Sequence, residues 1–93
     1  MKISIVMGTT GEYSDRSEWP VRAFLTARRA ETYALAAKQR ANEIAHEHGG
    51  PRLVSQEILG PKPNELDPGM KMDYTGTDYF IIADIELDEE PEP

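Results

Sequence analysis

Residues 27–50, ARRAETYALAAKQRANEIAHEHGG, carry the feature that most constrains the fold, a stripe of small apolar residues at helical spacing. Thr26 is a suitable N-cap before this segment, and Gly49 followed by Gly50 is typical of a helix end. The spacing puts one set of side chains on a single helix face: Ala30, Tyr33, Ala34, Ala37, Ala41, Ile44 and Ala45. Because most of these residues are alanines, we expect the helix to lie close against a sheet.

Two strands are predicted before the helix, because apolar and polar residues alternate in KISIVM and in WPVRAFLT. In the first strand the alternation separates two faces, with Ile3, Ile5 and Met7 on one and Lys2, Ser4 and Val6 on the other. In the second strand it separates Trp19, Val21, Ala23 and Leu25 from Arg22 and Phe24. Pro20 cannot donate a hydrogen bond within a sheet, so it belongs at the start of a strand or on a sheet edge.

The last strand is predicted over YFIIADIELDEE, residues 79–90. One of its faces carries Tyr79, Ile81, Ala83, Ile85 and Leu87, and the other changes from Phe80 and Ile82 to Asp84, Glu86 and Asp88. Between the helix and this strand, RLVSQEIL is compatible with a short strand or with a helical turn. The surrounding residues 51–72 are rich in proline and glycine, and the sequence assigns them no regular structure.

This order of elements predicts an α+β domain of β-β-α-β type, with one long helix packed on one face of a three-stranded antiparallel sheet. A right-handed crossover from the second strand through the helix to the last strand passes over the first strand. The expected sheet order is therefore 2-1-3, with the first strand in the centre. We expect a single domain over residues 1–87 and an acidic, flexible tail over residues 88–93.

Three polar loops are predicted to meet at one end of the sheet: GTTGEYSDRSE, HEHGG and MDYTGTD. We call these loops, residues 8–18, 46–50 and 72–78, the rim. Its candidate binding residues are Thr9, Thr10, Tyr13, Asp15, Arg16, His48, Asp73, Tyr74 and Thr75, with His46 and Asp78 beside them. Tyrosine and arginine are common at binding hot spots, which favours binding over catalysis. The alternative is structural, with the glycines shaping turns and the short polar side chains bonding their own backbone.

A second candidate surface is the sheet face turned away from the helix. The alternation predicts an interface of Val6, Phe24, Phe80 and Ile82 on that face. An apolar sheet face that is exposed to water promotes association, so we expect another part of the chain or another molecule to cover it. Two covers are compatible with the sequence: residues 51–72 fold over the face, or the face is a dimer or partner interface. Because a small domain with a lean core gains stability by association, we expect a homodimer.

The net charge of −7 is unevenly divided, as +1 over residues 1–50 and −8 over residues 51–93. The acidic C-terminal half keeps the chain soluble or attracts a basic partner. No cluster of basic residues is larger than Arg28 with Arg29, so direct nucleic-acid binding is not expected. The first apolar run, KISIVMG, is too short for a signal sequence or a membrane span, and we expect no membrane partner.

No catalytic or cofactor-binding motif stands out. The chain has no cysteine, which excludes thiol catalysis and disulfides and fits a reducing cytoplasm. The first loop lacks the glycine and lysine spacing of a phosphate-binding loop. Glu43 and His46 have a spacing used by metal ligands, but it occurs once, so we expect no metal and no cofactor. An alternative is a small metal-dependent or ligand-binding enzyme domain that uses these two residues with Asp15 and Asp73.

Two segments, MGTTGEYSDRSEWPVRAF and LDPGMKMDYTGTDYFI, resemble a group of short phage and prophage proteins. The group shares a GTTGEYSDR(S/T)EW segment after the first strand and a DYTGT-aromatic segment before the last. With the helix between them, the resemblance covers most of residues 1–87. The group brings no established activity, and the resemblance implies a small phage-encoded accessory protein of the host cytoplasm.

Together, these inferences predict a small phage-type accessory protein that acts by binding rather than by catalysis. Its expected partner is a host or defence protein, which it inhibits, or a small nucleotide-like signalling ligand, which it sequesters. A structural or assembly module that uses only the sheet face is a further alternative.

Overall fold

The computed structural model describes residues 1–54 and 56–88, without the side chains of residues 13 and 56. Its elements are, in chain order, β1 (Lys2–Thr10), β2 (Ser17–Phe24), α1 (Ala27–Glu47), α2 (Gln56–Leu59) and β3 (Thr77–Glu86). Short 3-10 helices lie at Tyr13–Asp15 and Pro51–Leu53. Since residues 51–53 and 56–59 are helical, the interpretation of RLVSQEIL as a short strand is wrong.

The three strands form one sheet in the order β2-β1-β3, and both outer strands run antiparallel to β1. Helix α1 packs on one face of this sheet and contacts all three strands. The predicted α+β class, the sheet order and the central position of the first strand are therefore confirmed. The predicted flexible tail, residues 88–93, lies outside the described residues except for the exposed Asp88.

Helix α1 begins and ends where its capping residues predict. The Thr26 hydroxyl accepts a hydrogen bond from the Arg29 amide at 3.2 Å, and the His48 amide donates to the Ala45 carbonyl at the other end. The buried residues of the helix are Ala30, Ala34, Ala37, Ala41, Ile44 and Ala45. In the described part of the chain, no helix is long and apolar enough to cross a membrane.

The face of strand β1 that packs against the helix is not the face that carries its larger apolar residues. Val6 is fully buried beside Ala30 and Ala34. Its neighbours Ile5 and Met7 point away from the helix and stay partly exposed. The buried residues of β1, on its helix-facing side, are Ser4, Val6, Gly8 and Thr10. The prediction that Val6 lies on the outer face is wrong, because an alanine-lined helix that lies close to the sheet needs small residues beneath it.

Strand β2 also departs from strict alternation. Val21 is the extra residue of a bulge that lies between the β2 residues paired with Val6 and Met7. The bulge shifts the alternation, so that both Val21 and Phe24 pack on the helix side. The Phe24 ring lies 5.2 Å from the ring of Tyr33. The prediction that Phe24 lies on the outer face is therefore wrong, because a bulge exchanges the faces of the residues beyond it.

A second irregularity, in β3, places one more apolar side chain on the outer face. The register of β3 against β1 shifts opposite Ser4, where Asp84 adopts a φ of 54° and its amide donates to the Ser4 hydroxyl. Beyond this shift Ile85 pairs with an outward residue of β1. It joins Phe80 and Ile82, which also pair with outward residues of β1 and lie on the outer face.

The described part of residues 51–72 packs on the helix side of the sheet. Met70 and Met72 are buried with Trp19 and Ile44, next to the C-terminal half of α1. The interpretation that this segment folds over the outer face is wrong. Within residues 1–54 and 56–88, neither of the two core clusters includes an outer-face side chain. The described chain therefore leaves the outer face uncovered.

Replacing Gly8 with alanine is expected to destabilise the fold. A Cβ at this position would collide with the indole ring of Trp19, which is packed in the core. Because the ring can move only by disturbing its neighbours, we expect a loss of about 1–3 kcal/mol in the free energy of unfolding, measured by urea denaturation. Gly69→Ala is the matched control, since a Cβ at Gly69 meets no atom within 4 Å. Equal stabilities of the two variants would contradict the close packing of Trp19 on β1.

Candidate functional site

Thr10 links the first rim loop to the loop that precedes β3 by hydrogen bonds. Its hydroxyl donates to the Gly76 carbonyl at 2.6 Å and accepts from the Asp73 amide at 2.7 Å. Beside it, the Gly11 amide donates to the Thr75 hydroxyl at 3.2 Å. Two of the three rim loops therefore meet, as the chain order predicts.

The C-terminal end of α1 completes the rim. A groove of about 260 Å³ separates it from the turn before β3, and its walls include His46 and Thr75. At one end of this groove the Lys38 ammonium donates to the Thr77 carbonyl at 2.9 Å. His48 is exposed beyond the end of the helix and does not line the groove. The third loop therefore reaches the rim through His46 rather than through His48.

A second cavity, of about 290 Å³, opens between the first loop and the turn before β3. We call it the rim cleft, and its walls include Thr9, Glu12, Arg16 and Asp78. The Arg16 guanidinium lies 2.8 Å from the Glu18 carboxylate, so its charge is already compensated. With further acids at Glu12 and Asp78, the rim cleft is negative in balance. This charge disfavours ligands that carry phosphate.

The other candidate binding residues of the rim are exposed or support its turns. The Asp73 carboxylate accepts from the Tyr74 amide at 2.6 Å, and the Tyr74 ring is half exposed. Asp15 is exposed at the end of the 3-10 helix within the first rim loop. The Tyr13 side chain lies outside the described residues. The rim thus gathers the predicted residues, but several of their polar groups are used for its own backbone.

Glu43 and His46 do not form part of a larger cluster of ligands. The Arg40 guanidinium lies 3.2 Å from the Glu43 carboxylate and also contacts Glu47 and Glu65. Across residues 1–54 and 56–88, no three histidine, aspartate or glutamate side chains stand close enough together to hold a metal ion. The geometry therefore gives the metal-dependent alternative no support.

The sequence did not mark out Asp67, which is only 2% exposed. Its Oδ2 accepts from the Trp19 indole nitrogen at 2.9 Å and from the Tyr79 hydroxyl at 2.8 Å. Next to it the fully buried Asn64 donates to the Ala37 carbonyl at 3.4 Å. These contacts connect the segment before β3 to both outer strands and to the helix. The role of Asp67 and Asn64 is therefore structural.

Burial and the Asp67 carboxylate together raise the pKa of Tyr79 far above its ordinary value. Burial is the larger cause, because it disfavours the phenolate. The carboxylate adds to it as a hydrogen-bond acceptor and as a nearby negative charge. Tyr79 is therefore held neutral, as a donor to Asp67, and does not act as a general base.

The outer face is the second surface that the fold presents. Its apolar side chains come from β1 and β3: Ile3, Ile5, Met7, Phe80, Ile82 and Ile85. Glu18 and Asp78 flank Thr9 at the rim end of the same face. No lysine or arginine of the three strands lies on this face. The outer face is thus an apolar surface with an acidic border.

Comparison of the chain with protein-family models, with curated proteins and with solved structures found no match in any of the three. The resemblance to short phage proteins therefore stays a prediction. Inference about function rests on the rim, the outer face and the edges of the sheet.

The two neighbouring threonines of the rim are expected to differ in their contribution to stability. Thr10→Val removes a hydroxyl that has two partners, at 2.6 and 2.7 Å, so we expect a loss of about 1–3 kcal/mol. The Thr9 hydroxyl oxygen is buried without a partner among the described residues, so Thr9→Val should be neutral or stabilising. Urea denaturation measures both, and each valine keeps the β-branched shape. Equal losses would contradict the role of Thr10 as the link between the loops.

The raised pKa of Tyr79 predicts a loss of stability at alkaline pH. In the unfolded chain the phenol ionises near the ordinary tyrosine pKa of 10.0, whereas the folded protein keeps it protonated. Its contribution is therefore fully present below about pH 10 and is lost progressively at higher pH. Urea denaturation from about pH 8 to pH 11 measures this slope. Tyr79→Phe should flatten the slope, and Tyr74→Phe, at a half-exposed ring, should leave it unchanged. Identical slopes for wild type and Tyr79→Phe would contradict the assignment.

Proposed function

We propose that the protein acts by binding a partner protein through the outer face of its sheet. The observation that carries this proposal is an apolar sheet surface that the described chain leaves uncovered. Exposed apolar patches on small soluble domains are typical of interaction sites. The chemistry required of the partner is an apolar surface of similar shape.

Charge defines the partner further. Glu18 and Asp78 border the outer face at the rim, and the whole chain has a net charge of −7. Glu18 is paired with Arg16, and Asp78 lies 3.7 Å from Lys38. The attraction therefore comes from the net charge of the whole chain, which favours a partner whose apolar surface is surrounded by lysine and arginine. We therefore propose a basic protein as the occupant of the outer face.

A second copy of this chain is a poorer occupant. Each copy has a net charge of −7, so two copies repel each other as they approach. Like charges across an interface oppose association. The homodimer stays a prediction, and the experiment below separates it from a basic partner.

A small nucleotide-like ligand fits the rim cleft less well than a protein fits the outer face. The cleft holds Glu12 and Asp78, and its arginine is paired with Glu18. A phosphate group in this cleft would meet more negative than positive charge. Protein binding is therefore the better supported of the two binding functions.

The proposed surface suits an accessory protein of the phage type. A protein that inhibits a host or defence factor by covering a functional surface needs shape, apolar area and charge, and no catalytic group. The resemblance to phage proteins directs the search to host proteins with a basic surface, in the cytoplasm of the host cell.

Ile82→Lys is expected to abolish partner binding without unfolding the protein. Ile82 is 43% exposed on the outer face, so a lysine can reach solvent while its charge repels a basic partner. Full-length protein is immobilised and a host lysate is passed over it, with bound proteins quantified by mass spectrometry. We expect a basic protein that wild type retains and that the variant loses by about tenfold or more.

Leu53→Lys is the matched control, since Leu53 is also an exposed apolar residue, at 63%, but lies in the connection after α1. It should retain the same basic protein as wild type. Retention of one set of proteins by all three forms would overturn the proposal. A wild-type dimer in light scattering that Ile82→Lys converts to a monomer would overturn it too, in favour of a second copy.

A further inference from the structure

The two edges of the sheet differ in how they are protected. At β2 the edge contains Pro20, which has no amide hydrogen, and the bulge at Val21. Both devices are used by natural proteins to prevent another strand from pairing with an edge. Strand β3 has no proline, and its lone bulge lies toward its end, near Asp84. At the start of β3, Lys38 donates to the Thr77 carbonyl, so the edge is open beyond that contact, around Ile81.

The backbone of β3 offers unpaired hydrogen-bonding groups at Ile81, in the middle of the strand. The Tyr79 amide donates to the Asp78 carboxylate at 2.8 Å, so it turns away from β1. Because backbone groups alternate in direction along an antiparallel strand, those of Ile81 face the same way. Within the described residues, no backbone or side-chain hydrogen bond is made by Ile81 to anything beyond its own sheet. A further strand could pair there.

A groove runs beside this edge, between α1 and β3. Its volume is about 320 Å³, and its walls include Glu31, Ala34, Leu35 and Ile81. Leu35 is 73% exposed, which is a large exposure for a leucine on the main helix of a small domain. The groove is therefore apolar along its length, with a carboxylate on the helix side. We call it the edge groove.

We propose that the open edge of β3 and the edge groove bind an extended segment of another polypeptide as a fourth strand. The backbone of the segment pairs with β3 at Ile81, and one of its apolar side chains enters the groove against Leu35. This is strand addition, a mode in which main-chain hydrogen bonds give affinity and side-chain pockets give selectivity. The edge groove adjoins the outer face at Phe80, but strand addition needs no partner on the outer face.

Charge identifies the chemistry of the segment. Glu31 lines the groove, and Asp78 and Asp84 lie on the strand itself. The nearby cation, Lys38, is already engaged by the Thr77 carbonyl and lies 3.7 Å from Asp78. The site is therefore negative in balance, and we propose a segment whose apolar residue is flanked by lysine or arginine.

A second copy of β3 is a less suitable occupant. Antiparallel pairing of two β3 edges would set the acids of one strand, at positions 78, 84 and 86, beside those of the other. Like charges on neighbouring strands are destabilising. The segment proposed here is therefore foreign to this chain.

The probe is an acetylated and amidated eight-residue peptide that alternates valine with threonine and has lysine at both ends. A companion peptide has glutamate in place of the lysines. Titrations of the full-length protein are followed by nuclear magnetic resonance. We expect the lysine peptide to bind at least about tenfold more tightly than the glutamate peptide. Equal affinities, or no binding of the lysine peptide, would overturn the proposal.

Leu35→Lys places a cation in the edge groove. It should lower the affinity of the protein for the lysine peptide by about tenfold or more. The matched control is Leu25→Lys, at a leucine that is 66% exposed after β2, outside the groove. It should bind as wild type does, because its side chain lies away from both β3 and the groove. Peptide binding that survives Leu35→Lys would overturn the assignment to the groove.

Amide hydrogen exchange tests the strand pairing itself. Saturation with the lysine peptide should slow the exchange of the Ile81 amide, because that amide gains an acceptor. The Leu35 amide lies inside α1 and should be unchanged. Binding without protection of Ile81 would overturn strand addition. Dimers of the free protein that Leu35→Lys dissociates would overturn the choice of a foreign segment.

Discussion

The Asp67 carboxylate joins parts of the chain that are far apart in sequence. One oxygen, Oδ2, accepts from Trp19 in β2 and from Tyr79 in β3, so it links both outer strands of the sheet to the segment that precedes β3. A buried carboxylate without partners is strongly unfavourable, and the segment can lie here only while both donors reach it. The same segment carries Met70 and Met72 into the core. The packing of the segment before β3, and of the core cluster that contains Met70 and Met72, therefore depends on the Asp67 carboxylate.

This interaction also decides which face of the sheet is covered. Since Asp67 holds the connection on the helix side, the connection and α1 both pack over Trp19 and Tyr79. Beneath the helix, Gly8 leaves the space that the Trp19 ring occupies. The core is thereby concentrated on one side of a three-stranded sheet. In the described chain nothing remains to cover the other side, so the outer face is a consequence of how the core is built.

The sequence predicted what depends on local periodicity, namely the alanine-rich helix, its caps and the order of the strands. It placed Val6 and Phe24 on the wrong face for two different physical reasons. For Val6, alternation separates two faces of a strand without saying which is inward, and the small residues went inward because the helix lies close. For Phe24, a bulge at Val21 reversed the alternation. The structural role of Asp67 could not be predicted, because its partners are distant in sequence and because a carboxylate in a proline-rich segment is typical of a turn. The meeting of the rim loops could be predicted because it follows from chain order alone.

The outer face and the edge groove use alternate residues of a single strand. Phe80 and Ile82 face outward and Ile81 faces the helix side, and Phe80 lines the edge groove together with Ile81. A strand added at the edge of β3 would send every second side chain to each side of the sheet. It would therefore fill the edge groove with one set of residues and widen the outer face with the other. In β1 the larger apolar residues Ile5 and Met7 lie on that outer face, where they add little to the core. Their outward placement follows from the close approach of the alanine-lined helix to the other face, and it supplies the apolar side chains on which the proposed partner binding depends.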